Sequence, residues 1–341
     1  MKLTGCGHSK KAVLRAGETL IDEDISIEQR WLALEVLSDW RSSHAYPTHA
    51  LLIFLRSLAL KTDGYAVVVR RLKRTPSILN KLTRFPDMKL HRMQDIGGCR
   101  AVVGTARHVA ELMDSILKSR TKHELHKVYD YIETPKSSGY RGVHLVFKYR
   151  GAKQEFDGIF IEIQLRSKVQ HSWATAVEVV DFFTNQALKA SRGEDEWLQF
   201  FKYAGAEFAK FEHRPVSSDL AHIDTAFELK RLAASLSVIE RLNAFAVTTQ
   251  HVVSKTNSKT DYFLLELVTK ENLIKVRQFS SSDLSKATRV YLERETEAKG
   301  SHDVVLVAAG SMHALKAAYP NYFADTSAFI QNLKKVLAGR A

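Results

Sequence analysis

The sequence predicts an α+β protein: a mixed β-sheet flanked by helices, followed by a small C-terminal α+β module. Three observations predict it. Apolar runs of strand length alternate with helical periodicities up to about residue 211. Pro, Ser and Asp then cluster in EHRPVSSDL (212–220), which reads as a boundary. Beyond it, short strand candidates are separated by polar turns. A length of 341 residues, near where a single core stops growing, also favours two units, 1–222 and 223–341.

In chain order, Trp31, Leu34, Leu37 and then Leu51, Leu55, Leu58 recur at helical spacing over 26–60, with HAYPTH as the break between them. AVVVRRLK (66–73) reads as a strand, and RTPSILNKL starts a helix after Pro76. GCRAVV, VYDYI, GVHLVFKY and IFIEIQLR read as further strands, with a helix over ARHVAELMDSILKS. A helix from about Ser167 to Gln186 places Val169, Trp173, Ala176, Val177 and Val180 on one face, and EWLQFFKYAGAEFAKF continues as helix. One helix over 223–246 connects to strands at AFAVTTQHVV, DYFLLELVT and LIKVRQF. A helix over 281–300, with Ser282 as cap and Gly300 as stop, precedes the strand DVVLVAAG and a helical tail; His302 and Asp303 read as a turn.

The balance of 50 Lys and Arg against 38 Asp and Glu gives a net charge of +12, which suits polyanionic ligands such as nucleotides or RNA. Two cysteines, Cys6 and Cys99, cannot build a disulfide framework or a cysteine-rich zinc site. The start MKLTGCGHSKK has no apolar stretch after its basic residues, and no run approaches a membrane span. The expectation is a cytoplasmic protein with no membrane partner.

Three clusters carry chemistry. Arg71, Lys73, Arg74, Ser77 and Lys81 surround the start of a helix, where cations and free N–H groups can seat a triphosphate, or simply face water. Asp95 in MQDIGGCR can hold Mg²⁺ through one or two oxygens, or serve as a turn residue before the glycines. In IFIEIQLR, alternation sets Ile159, Ile161, Ile163 and Leu165 on one face and Glu162, Gln164 and Arg166 on the other. Glu162 is then a metal ligand, a general base, both, or one residue of a half-exposed sheet. Two carboxylates, a basic seat and an aromatic loop are the parts phosphoryl-type transfer needs. With no Walker loop, no kinase signature and no H-E-x-x-H, a nucleotidyltransferase-like fold fits better than a P-loop fold.

RLKRTPSI, DIGGCR, PKSSGYRGVH and EIQLRSKVQHSWA resemble, in order and spacing, the synthetase domain of the RelA/SpoT alarmone enzymes over roughly residues 30–210. The resemblance implies transfer of the β,γ-pyrophosphate of ATP to a 3′-hydroxyl of a second nucleotide, with release of AMP. It implies that Asp95 binds Mg²⁺ and that Glu162 deprotonates the acceptor and also touches the metal. It further implies that Arg71 and Arg100 sandwich the adenine while Lys73, Ser77 and Lys81 hold phosphates. Tyr140 would stack on the acceptor base, with Lys136, Arg141, His144 and Gln164 around it. This loop reads YRGVH where alarmone makers more usually show Lys or Arg followed by Ser, which departs from a guanosine pocket; Gly142 removes a hydroxyl there and leaves room for a different or larger substrate.

No His-Asp motif of the family's hydrolase domain lies upstream. In ALKAAYPNYFADT, Tyr319 and Tyr322 flank Pro320 and either pack the module's own core or form a wedge that stacks between arginines. A synthetase followed by such a segment resembles the fused toxin–antitoxin form of toxic small alarmone synthetase, the CapRel type. That resemblance implies an autoinhibitory C-terminal module released by a phage major capsid protein, and pyrophosphorylation of the 3′-CCA end of tRNA. The alternative acceptor is GDP or GTP, giving an ordinary (p)ppGpp synthetase.

Overall fold

The computed structural model describes residues 5–187, 194–248, 250–254, 260–268, 273–280, 283–298, 302–308 and 312–339. Three helices open the chain: α1 (Lys10–Ile21), α2 (Ile27–Ser43) and α3 (Ala45–Thr62). Next come β1 (Val67–Leu72), α4 (Thr75–Arg84), β2 (Gly97–Val103), α5 (Ala106–Leu117), β3 (Glu124–Asp130), β4 (Val143–Lys148) and β5 (Phe160–Ser167). Four helices follow: α6 (Lys168–Ala187), α7 (Glu194–Phe211), α8 (Thr225–Ser235) and α9 (Val238–Thr248). The chain then forms β6 (Gln250–Ser254), β7 (Thr260–Val268), β8 (Leu273–Ser280), α10 (Leu284–Ala298), β9 (His302–Ala308), α11 (Met312–Ala318) and α12 (Ser327–Leu337).

Local chemistry explains several boundaries. The Ser26 hydroxyl accepts from the Gln29 N–H while the Gln29 side chain accepts from the Ser26 N–H, a reciprocal cap that starts α2. Pro76 sits in the first turn of α4, where its missing N–H costs nothing, and Ile78 and Leu82 bury the inner face one turn apart. In β5 the alternation holds: Ile161, Ile163 and Leu165 are fully buried. They pack with Leu145, Phe147 and Ala101 against Leu51 and Leu55 of α3 and Val109 and Leu112 of α5. Each leucine so buried contributes roughly 1.5–3 kcal/mol. A side chain at Gly97 would collide with Thr48 and Ile161, so this glycine lets α3 lie directly on β2.

The nine strands form one sheet in the order β3-β4-β5-β2-β1-β9-β7-β8-β6. β2 with β5 and β6 with β8 are parallel; the other pairs are antiparallel. The C-terminal strands therefore extend the sheet of the first half, joined where Arg70 and Arg71 of β1 pair with Ala308 and Val307 of β9. Helices cross the expected boundary as well. Segment 212–220 is a turn plus the 3₁₀ helix Ser218–Leu220, yet α8, α9 and α12 share one core with α6 and α7. Phe329 of α12 lies among Phe200, Phe201 and Phe208, with ring centroids 6.2, 5.9 and 5.4 Å away.

Several sequence expectations are corrected. α1 was not expected; it buries Val13, Ala16 and Leu20. The connecting helix is two helices, broken at Ser237, whose φ of 47° is left-handed. AFAVT (244–248) belongs to α9, because Val238 and Leu242 pack that helix into the helical core; Gln250–Ser254 is strand, and Thr249 lies outside the described residues. Tyr131 and Ile132 lie beyond the end of β3, and His302 and Asp303 lie in β9 instead of a turn. Ser282 and Gly300 fall outside the described residues.

Candidate active site

Sheet register assembles the site. Residues opposite one another on neighbouring strands share a face. Arg71 lies opposite Gly98, Gly98 beside Glu162, Glu162 opposite Val146, and Val146 opposite Lys127. One step along, Val69, Arg100, Gln164, His144 and Tyr129 form a parallel row. A single face thus carries arginines at mid-sheet, a carboxylate on β5, and aromatic and basic groups on the edge strand.

A cavity of about 70 Å³ opens on this face, lined by Arg71, Lys73, Asp95, Arg100, Glu162, Gln164 and Tyr319 among others. Asp95, two residues before β2, accepts from Lys73 at 2.8 Å and from Lys81 at 2.9 Å. Burial pushes its carboxyl up, but the two ammonium groups outweigh burial and hold it below the usual carboxylate range. Glu162 accepts from His144 Nδ1 at 2.8 Å and Gln164 Nε2 at 2.6 Å. Burial raises its pKa and so does the nearby Asp95 charge; the contact with His144 prevails and leaves it lowered. Both groups are therefore carboxylates at neutral pH.

Glu162 ends a directed chain. An acceptor-only carboxylate requires His144 Nδ1 to carry a proton, and in the neutral ring Nε2 then accepts from the Tyr140 hydroxyl, 2.6 Å away. Arg166 in turn donates to that phenol oxygen at 3.1 Å, with its guanidinium 5.2 Å from the Tyr140 ring centre. The Tyr140 ring also meets Trp173 edge-on at 6.2 Å. The Lys136 ammonium lies 5.3 Å from the centre of the Tyr140 ring and 4.3 Å from that of Tyr131.

The C-terminal module closes the other side. The Arg100 guanidinium lies 5.7 Å from the Tyr319 ring centre and donates to the Ala318 carbonyl at 3.3 Å. Burial, reinforced by Arg166 and Arg71, lowers the Arg100 pKa to about 10, so it stays charged at neutral pH. His171 Nε2 lies 3.2 Å from the Ala317 carbonyl. Burial and the charges of Arg100 and Arg166 hold His171 well below its usual pKa, so it is neutral and donates there. The last carbonyls of α11 are thereby satisfied by site residues. Arg41 and Arg70 likewise lie over tyrosines of the C-terminal part, Tyr291 at 4.7 Å and Tyr262 at 5.6 Å.

Some expected site residues lie elsewhere. Arg141 is buried and donates to the Ile132 carbonyl at 3.0 Å, tying the loop's two ends together instead of facing the cavity. Ser77 lies in the first turn of α4, outside the cavity lining. Tyr322, by contrast, stays beside the site: it packs next to Tyr319, ring centres 6.1 Å apart, in the core of the C-terminal sheet, and with Tyr319 interacts electrostatically with the Arg71 guanidinium. Tyr319 belongs to that core too, so core packing and proximity to the arginines hold together. Gly142, expected to enlarge the acceptor site, has φ +149°, and a side chain there would crowd the Leu165 carbonyl at 3.2 Å and the Tyr140 hydroxyl at 3.3 Å. Its role is to let the loop turn over β5. Sequence reasoning gave Arg166 no role and missed Tyr131 and Tyr129; the alternation Lys127, Tyr129, Tyr131 was the available signal.

Among the described residues, no three His, Cys, Asp or Glu side chains gather as a ready metal cage. Mg²⁺ commonly takes one or two carboxylates, with substrate phosphates and water completing its shell. Asp95 and Glu162 on one cavity, close enough to disfavour each other's charge, fit that donor set.

The chain matches the family described as a region found in RelA / SpoT proteins over residues 70–180. It is 32% identical over 168 residues to GTP pyrophosphokinase YwaC of Bacillus subtilis (strain 168), spanning 45% of this chain and 79% of that protein. It is 34% identical over 113 residues to GTP pyrophosphokinase YjbM of the same organism, spanning 32% of this chain and 52% of that protein. Similar solved structures include small alarmone synthetase 1 from Bacillus subtilis bound to its product pppGpp, with TM-score 0.43 and 21% identity, covering 54% of this chain and 94% of that one. Another is a GTP pyrophosphokinase family protein from Streptococcus pneumoniae, with TM-score 0.41 and 21% identity, covering 62% and 98%. The carboxylates, their lysines, Arg100, Tyr140 and His144 all fall within residues 70–180, and Tyr319 falls outside. The chain belongs to the RelA/SpoT family and is, by class, an ATP-dependent pyrophosphotransferase.

Proposed function

We propose that this enzyme is an autoinhibited toxin that transfers pyrophosphate from ATP to the 3′-CCA end of tRNA. Residues 1–222 are the transferase unit and 223–341 the regulatory unit. Arg71 and Arg100 hold the adenine, and Lys73 and Lys81 the phosphates. Asp95 and Glu162 hold Mg²⁺, which when bound offsets the charge of the triphosphate. Lys73 and Lys81 exchange Asp95 for phosphate oxygens as ATP enters. Tyr140 stacks on the acceptor base, fixed by Arg166 and His144. The acceptor 3′-oxygen attacks the β-phosphorus, the bond to the α–β bridging oxygen breaks, and AMP leaves. The hydroxyl proton passes to Glu162, kept ionised and oriented by His144 and Gln164.

The observation that carries the regulatory part is Tyr319. Its buried ring lies against Arg100 on the cavity that holds both carboxylates. The space left, about 70 Å³, compares with roughly 300–1,000 Å³ for small-molecule sites. A nucleotide therefore needs Tyr319 to leave, and a partner that binds the C-terminal module away from the site supplies that step. A phage major capsid protein is the proposed trigger. The tRNA acceptor rests on the +12 net charge and the open acceptor side.

The pyrophosphokinase names of the relatives favour the second reading, GDP or GTP as acceptor. The test incubates the full chain and Tyr319→Ala with ATP labelled in its terminal phosphates, Mg²⁺, and tRNA, GDP or GTP. The proposal expects label on tRNA from Tyr319→Ala, and from the natural chain only after capsid protein is added. Label on GDP or GTP alone establishes the second reading.

A further inference from the structure

We infer that Tyr131 and Tyr129 continue the acceptor platform outward, seating the unpaired bases that precede the acceptor nucleotide of a single-stranded RNA 3′ end. The inference rests on the proposed RNA acceptor and extends it to new residues. Tyr131 meets Tyr140 edge-on at 5.9 Å, and Tyr129 lies nearly parallel to Tyr131 at 5.9 Å and 13°. Register places Tyr129 opposite His144, so its ring shares the face that carries the Glu162 chain. The three rings run from the carboxylate to the free edge of the sheet, since β3 is the outermost strand.

Cations interleave with them. Lys136 reaches over Tyr131 at 4.3 Å, and Lys127, on the same face, over Tyr129 at 4.6 Å. Both lysines are exposed and all three rings are half-exposed. An ammonium resting on a wet ring is a weak contact that an incoming base outcompetes, and the displaced lysine is then next to the linking phosphate. A mononucleotide uses Tyr140 alone and leaves the outer rings idle. Ring steps of 5.9 Å exceed the ~3.4 Å rise of a continuous base stack, so the strand is read splayed, one base per ring, which a duplex cannot offer.

The test measures binding of a fluorescent single-stranded RNA ending in CCA, and of a blunt RNA duplex of equal length, to the full chain without ATP. We expect the single strand to bind in preference to the duplex. Tyr129→Ala raises the single-strand Kd about tenfold, Tyr129→Phe leaves it unchanged, and Lys127→Ala lowers the slope of log Kd against log salt by about one. Thermal melting verifies that each variant is folded. An unchanged Kd in Tyr129→Ala, or equal binding of the duplex, overturns the inference. Failure of Tyr319→Ala to label tRNA while these RNA effects persist would instead count against the transfer reading and leave the tyrosine seats standing.

Discussion

The donor half and the acceptor half of the site lie on one sheet face but are built oppositely. On the donor side, Tyr319 is 2% exposed, held over Arg100, and backed by the core of the C-terminal sheet. On the acceptor side, Tyr140, Tyr131 and Tyr129 are half-exposed and flanked by the exposed Lys136 and Lys127. The contrast separates control from selection. Under the proposed function, release of Tyr319 sets whether ATP enters, and the tyrosine ladder sets what receives its pyrophosphate. β1 joins β9 directly at Arg70 and Arg71, so the C-terminal sheet abuts the donor half and not the acceptor half.

The largest expected effect comes from removing the Asp95 carboxylate. Asp95→Asn keeps the shape but not the charge, and transfer to any acceptor should fall on the order of 10³-fold in a labelled-ATP assay. Binding of single-stranded RNA should be untouched. A comparable loss of RNA binding would mean the halves are not separable. Tyr140 sharpens the comparison at intermediate size. Tyr140→Phe keeps the ring but cuts the 2.6 Å link to His144, so kcat should drop about tenfold with acceptor KM unchanged. Tyr140→Ala should raise KM as well, because the stack itself is lost.

The smallest effect is in acid. The Asp95 carboxyl, held below its ordinary value of 3.8 by Lys73 and Lys81, contributes stability that is full above that value and lost as pH falls through its folded pKa. Acid titration followed by circular dichroism should therefore show less destabilisation below about pH 4 in Asp95→Asn than in the natural chain. An identical acid limb would place the lysines' contacts with Asp95 outside the stability of the fold.

Much of the donor half was legible in the sequence because strand alternation fixes direction. Once IFIEIQLR is a strand with its isoleucines buried, Glu162, Gln164 and Arg166 must share the other face, and they do. Lys73 and Lys81 follow from short-range spacing around one helix start, and Asp95 from its place before the glycines of β2, though nothing local announces that the three meet. Loops were less legible. Arg141 sits next to Tyr140 in sequence yet turns away, because the loop's own carbonyl at Ile132 needs a donor. Gly142 looked like room for substrate and is a backbone requirement. The C-terminal half was hidden for a longer-range reason. The β-branched residues of AFAVT (244–248) favour strand locally, but packing against α6 and α7 wins and makes it helix. No local pattern announces that β9 will pair with β1, and that pairing carries Tyr319 to the site.

Autoinhibition requires that Tyr319 and ATP exclude one another. Calorimetric titration of ATP with Mg²⁺ into the natural chain and into Tyr319→Ala measures this directly, since a closed population weakens apparent affinity by the fraction that is open. We predict at least tenfold tighter binding to Tyr319→Ala, with both proteins melting cooperatively. Equal affinities in two folded proteins would contradict the account.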